Sequence, residues 1–195
     1  MYSKKEIYTL SNLLSFLRLL MAIPFWILIG DINEPGMRNV IAALAIIAAL
    51  TDWLDGFVAR KRNEVTELGK IIDPLADKIA IGAIIIRLYM VGEIPEYYFF
   101  LIIGRDLLIF IGGVIVSKMI GKVLPSNVLG KITVSMIGVV ILLIVWEMSR
   151  SSYLFQFFYY GSIILMIVSF LAYVYRAVEY IKKEKNNDFI RQHKF

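Results

Sequence analysis

The 195-residue chain contains no cysteine and a single histidine, His193, close to its C-terminus. Disulfide stapling, thiolate metal ligands and cysteine nucleophiles are thereby excluded. No serine-centred triad can be assembled, and no imidazole base is available away from the last residues. Charge is also scarce: 19% of residues are Asp, Glu, Lys or Arg, against about 25% in a soluble domain. What fills the space is apolar, with 59% hydrophobic residues and a mean hydropathy of +0.72. A membrane span takes roughly 20 apolar residues, so this length accommodates about five or six spans and little else. A soluble enzyme, a disordered chain and a separate extramembrane domain are excluded. The formal net charge of +5 fits basic loops facing anionic lipid better than it fits nucleic acid.

Six apolar stretches predict six transmembrane helices, at 12–30, 39–59, 69–91, 97–117, 128–148 and 155–176. Between them lie turn and charge signals such as Asp31-Ile-Asn-Glu-Pro-Gly36, Lys61-Arg-Asn-Glu64 and Gly92-Glu-Ile-Pro95. The chain therefore reads as one all-α integral membrane domain over 1–195, with a short interfacial segment at 1–11 and a basic, solvated tail at 177–195. The first stretch contains Arg18 and no small-residue cleavage site follows it, so it reads as a span rather than a signal peptide. Lys4, Lys5, Arg60, Lys61, Arg62, Lys70, Lys118, Lys122 and the basic tail fall on one side, against Arg38 and Arg150 on the other. This asymmetry places both termini and the 60–70 and 118–127 loops in the cytoplasm.

A charge at a span centre costs about 2.5–3.5 kcal/mol on the insertion scale, which makes intramembrane charges functional candidates. Arg87 and Glu147 lie near the outer ends and read as interfacial. Four aspartates differ, because they flank the cytoplasmic turn between spans two and three. On a helix, Asp52 and Asp55 share a face with Gly56 and Ala59, while Gly69, Asp73 and Asp77 step by four along one stripe. Two antiparallel helices joined by so short a turn are expected to pack, with the small residues allowing close approach. Four converging carboxylates repel one another in a low dielectric unless they are compensated. Two divalent cations would balance them, and an all-oxygen donor set favours Mg²⁺ or Mn²⁺, with Ca²⁺ as a further hard ion. Such ions clamp a phosphate or pyrophosphate during in-line displacement. Pairing of the aspartates with Arg60, Lys70 and Lys78 is the plainer alternative, but it does not explain the small residues on the same faces.

The pattern Asp52-x-x-Asp55-Gly56-x-x-Ala59-Arg60, eight residues, Gly69-x-x-x-Asp73-x-x-x-Asp77 resembles the signature of the CDP-alcohol phosphatidyltransferases at all eight fixed positions. The motif covers 26 residues from Asp52 to Asp77, and the six-span plan extends the resemblance over nearly the whole chain. It implies a homodimeric membrane enzyme with its active site facing the cytoplasm. The substrate would be a CDP-linked lipid such as CDP-diacylglycerol, with its pyrophosphate on two metal ions. By position, Asp52, Asp55, Asp73 and Asp77 would be the metal residues and Asp77 also the general base. Gly56, Ala59, Arg60 and Gly69 would lie along the CDP moiety. An acceptor hydroxyl would attack the phosphorus bearing the lipid and CMP would leave.

The acceptor is read from weaker signals. Asp73-Pro-Leu-Ala-Asp77-Lys78 and the opening Asn12-x-x-Ser15-x-x-Arg18 resemble the phosphatidylglycerophosphate synthase and cardiolipin synthase branch. Arg105 within span four and Lys131 at the start of span five need an anion in an apolar setting. Together with Arg18 they are expected to bind an acceptor phosphate, as glycerol-3-phosphate would supply. An internal ion pair of Arg105 with Asp106 or with an active-site aspartate is the alternative. Asp106 departs from the Arg-Glu usual in glycerophosphate enzymes, and Pro125-Ser126 is similar to cardiolipin synthases, whose acceptor is phosphatidylglycerol. A small ion carrier is the reading outside enzymology; the clustering of the acids at one rim and the lack of matching halves speak against it.

Overall fold

Helices start and stop where the apolar runs are interrupted. In the computed structural model the backbone is described for residues 10–62, 69–120 and 128–192, and side chains for Leu17 and residues 19–50, 78–120 and 128–183. These residues form α1 (Leu10–Gly30), α2 (Met37–Arg62), α3 (Gly69–Met90), α4 (Glu96–Ile120), α5 (Val128–Val145) and α6 (Tyr153–Gln192), and no strand. Each helix coincides with one predicted span to within a few residues, except that α6 runs 16 residues past the predicted end at 176. The tail expected from residue 177 is thus helical as far as Gln192, supported by an i,i+4 bridge from Lys183 to Glu179 at 2.6 Å. Pro24 sits inside α1, a placement membrane helices tolerate. The predicted lead-in before Leu10 and the loop containing Lys122, Pro125 and Ser126 lie outside the described residues.

Two helix ends use the same device. After α3, Gly92 takes φ 80°, while the amide of Glu93 donates to the Leu88 carbonyl and that of Gly92 to the Tyr89 carbonyl. This is a Schellman cap with glycine in the left-handed position. After α5, Met148 donates to Leu143 and Glu147 to Ile144 in the same arrangement, but the left-handed residue is Glu147, at φ 55°.

The chain divides into two packing units, one of residues 1–95 with 144–147, the other of 96–143 with 148–195. In the first, α1 packs along α3 and, less extensively, α2. The expected packing of α2 on α3 centres on residues 52–77, whose side chains lie outside the described residues. Phe25 and Ile29 of α1 and Ile85 and Leu88 of α3 are buried. Arg87 of α3 donates from Nε to the Trp26 carbonyl at 3.1 Å and lies 5.5 Å over the Trp26 ring. Gly30 leaves room for its guanidinium, which a Cβ there would strike. At the start of α2, Arg38 donates from Nη2 to Glu93 Oε1 at 2.5 Å and to Asn33 Oδ1 at 3.2 Å, and from Nη1 to the Ile144 carbonyl at 3.2 Å. Its Nε lies 3.6 Å from Glu147 Oε2. Arg87 and Glu147, read from sequence as interfacial, are thus both engaged.

In the second unit, α4 and α6 run parallel in a fixed register. Tyr98 meets Ser162 and Arg105 meets Ser169, both 64 residues apart. Further along, Gly112 and Gly113 admit Tyr173, and Val116 and Ile120 pack with Ala177 and Ile181. α5 runs antiparallel to α6: Thr133 donates to the Leu165 carbonyl at 3.3 Å, and Gly161 makes room for Met136. Alternating direction through α4, α5 and α6 is the geometry of three successive membrane crossings. All three are long and apolar enough to cross a bilayer, whereas the described parts of α1 and α2 contribute the shorter apolar segments Leu19–Gly30 and Met37–Leu50. Leu107, Leu108, Phe110 and Ile111 of α4 are exposed, an apolar surface of the kind that faces lipid.

Arg38→Ala is expected to destabilise the protein by about 2 kcal/mol, because it strips the largely buried Glu93 carboxylate of a charged partner. Glu147→Gly is expected to leave the thermal midpoint in detergent unchanged or raised. It relieves a left-handed non-glycine residue worth about 1 kcal/mol and forfeits only an exposed ion pair worth less than about 1 kcal/mol.

Candidate active site

The aspartate motif falls at the facing ends of consecutive helices. Asp52, Asp55, Gly56, Ala59 and Arg60 occupy the last turns of α2; Gly69 is the first residue of α3, with Asp73 and Asp77 one and two turns further on. The backbone is helical through all eight positions, so the spacings of three and four residues are helical spacings. The side chains of these residues and of Arg18 lie outside the described residues. Among the described residues, no group of three or more histidine or acidic side chains comes together in a way that could hold a metal. The donor set fits a hard divalent ion: carboxylate oxygens only, in a chain without cysteine.

Of the candidate acceptor residues, Arg105 and Lys131 belong to the second unit. Arg105 is nearly buried, with its side chain 10% exposed. Its Nη1 donates to Asp106 Oδ1 at 2.5 Å and its Nη2 to Ser169 Oγ at 3.1 Å. Nε is buried and has no hydrogen-bond partner among the described residues. The internal pair with Asp106, weighed in the sequence as an alternative to anion binding, is therefore formed, and it leaves donors on the guanidinium uncommitted. A Cβ at Gly130 would stand 3.4 Å from Nη2, which places the first turn of α5 beside Arg105. Lys131, the next residue, is exposed.

Sequence reasoning missed Ser162 and Ser169. Both are fully buried and each donates to a carbonyl of its own helix, Ser162 to Tyr159 at 2.7 Å and Ser169 to Met166 at 3.1 Å. Each then receives a partner from α4. The signal was present as two matching heptad steps, Tyr98 to Arg105 and Ser162 to Ser169. Small polar residues at such a spacing mark a close helix seam in a membrane. Around Ser162, Tyr98 stacks on Tyr159 with ring centroids 4.6 Å apart, and Tyr159 donates to the Tyr97 hydroxyl at 2.6 Å.

Three helices long and apolar enough to cross a bilayer, in an all-helical chain, define a membrane protein. The comparison with known proteins narrows this class. Residues 8–174 match the family described as CDP-alcohol phosphatidyltransferase, and the chain belongs to that family of enzymes. It is 36% identical over 170 residues to the CDP-diacylglycerol–glycerol-3-phosphate 3-phosphatidyltransferase of Rickettsia bellii, covering 85% of this chain and 90% of that protein. A protein of the same name from Aquifex aeolicus is 33% identical over 180 residues, covering 89% and 98%. A probable phosphatidylglycerophosphate synthase of Mycobacterium tuberculosis is 30% identical over 182 residues, covering 92% and 83%.

Arg105 and Asp106 are expected to be energetically coupled. Arg105→Ala and Asp106→Ala should each lower the thermal midpoint, and the double variant should fall short of the sum by about 1 kcal/mol or more, measured as a double-mutant cycle of unfolding in detergent.

Proposed function

We propose that this chain transfers the phosphatidyl group of CDP-diacylglycerol to the hydroxyl of glycerol-3-phosphate and releases CMP, a step of phospholipid synthesis. The observation that carries this is the eight-position motif on two helical segments. Relatives named for that reaction, aligned over nearly their whole length, support it. The acceptor oxygen attacks the phosphorus that carries diacylglycerol, the bond from that phosphorus to the oxygen of CMP breaks, and the acceptor proton passes to Asp77. A hydroxyl is a weak nucleophile, so a carboxylate base at the point of attack lowers the barrier. Asp52, Asp55, Asp73 and Asp77 would hold two Mg²⁺ or Mn²⁺ ions, which when bound neutralise charge on the pyrophosphate. Gly56 and Ala59 leave space for the cytidine, with Arg60 and Gly69 beside it. Arg105, Lys131 and Arg18 take the phosphate of the acceptor, the guanidinium being suited to two-point contact.

In this reading all six helices cross the cytoplasmic membrane, both termini and the active site face the cytoplasm, and the enzyme is a homodimer. The basic residues of the 60–70 loop and of the tail support the orientation.

The deciding assay is CMP release from CDP-diacylglycerol by purified protein with Mg²⁺ or Mn²⁺, alcohols being added singly. Release with glycerol-3-phosphate is expected; release with phosphatidylglycerol alone would make the enzyme a cardiolipin synthase instead. Chelation with EDTA should abolish turnover, and added Mg²⁺ or Mn²⁺ should restore it. Asp77→Asn should cut kcat by about two to four orders of magnitude, the range for loss of a general base, while leaving the melting curve in place. Near-native turnover in that variant would remove Asp77 from the base role.

A further inference from the structure

Arg105 is a cation with two grips. Asp106, its neighbour on α4, holds Nη1, and Ser169 on α6 holds Nη2. The Ser169 hydroxyl is 2% exposed, and its one proton is committed to the Met166 carbonyl. What it presents to Arg105 is therefore oxygen lone pairs. Its position is set by the backbone of α6, in the register that also joins Tyr98 to Ser162 one heptad earlier. A single grip from Asp106 would leave the guanidinium free to swing about that contact. A second grip on the other terminal nitrogen, from another helix, fixes its plane. Fixing the plane fixes the direction of the uncommitted donors, among them the buried Nε that has no partner among the described residues. The first turn of α5 lies beside Nη2, where a Cβ at Gly130 would stand 3.4 Å away.

We propose that Ser169 is a positioning residue for the acceptor: it orients the Arg105 guanidinium so that its unmatched N–H groups meet the phosphate of a small phosphomonoester alcohol. This rests on the reading of Arg105 as an acceptor-phosphate ligand. Ser169 itself touches no substrate. Without its hydroxyl, Arg105 stays charged and paired with Asp106, but its remaining donors are no longer held in one direction, and the loss falls on acceptor binding alone.

The test uses the full-length protein with CDP-diacylglycerol and glycerol-3-phosphate varied separately, CMP release as the readout, and a melting curve for each variant. Ser169→Ala is expected to raise KM for glycerol-3-phosphate about tenfold, the order for losing one hydrogen bond to a charged group, with kcat and KM for the lipid unmoved. Ser169→Thr, which keeps the hydroxyl, is expected to restore acceptor KM. Introduced into an Arg105→Ala background, Ser169→Ala is expected to add nothing. If it adds its full effect there, or raises both KM values together, Ser169 is a packing residue and the proposal is overturned. If Arg105→Ala raises acceptor KM and Ser169→Ala does not, the positioning role falls and the acceptor reading stands. If Arg105→Ala itself leaves acceptor KM unchanged, the acceptor reading falls and the positioning role with it.

Discussion

A charged or polar group in hydrocarbon has no water to turn to, so it must be answered from within the protein. The described side chains are organised by this constraint. Arg87 reaches a carbonyl and an aromatic face of α1. Arg38 gathers two carboxylates, an amide oxygen and a backbone carbonyl. Thr133 shares its hydroxyl between two carbonyls, one on its own helix at 2.7 Å and one on α6 at 3.3 Å. Arg105 has both terminal nitrogens held yet keeps a buried donor without a partner among the described residues.

The parallel seam of α4 and α6 follows from the same requirement. Two membrane helices gain little from apolar contact that lipid would not also supply, so small residues and hydrogen bonds set their approach. Tyr98 with Ser162, Arg105 with Ser169, and Gly112–Gly113 beneath Tyr173 lie along one line. They hold the register that places Arg105 beside the first turn of α5, next to Lys131. A slip of one residue would turn the seam residues away from one another and leave hydroxyls and a guanidinium facing apolar neighbours.

In this membrane enzyme of the CDP-alcohol phosphatidyltransferase family, chemistry and scaffolding make different demands on charge. The chain places its acidic motif at helix ends, and it places Arg105 inside a helix where a neighbouring acid and a hydroxyl support it. Support of this kind pairs the guanidinium without using up its hydrogen-bonding capacity.

How much of this was legible in the residues follows from the range of each signal. The helices were legible because span length and turn residues are local quantities: 39–59 predicted what became Met37–Arg62, and Gly92 marked the end of α3. The aspartate motif was legible because its spacing is carried by two short helical segments. Helix partners were not, since an apolar face does not name what it packs against; that α1 lies along α3 came from the structure. Nor were the counter-charges of Arg38, which come from positions 55 and 109 residues away (Glu93 and Glu147), nor the choice of Ser169 for Arg105, 64 residues away. By itself the sequence determined the helices, the family and the chemistry of the donor set, because these depend on neighbours along the chain. The tertiary structure alone decided which helices touch and which partner holds each cation, because those contacts form across the chain, where only packing brings the atoms within reach.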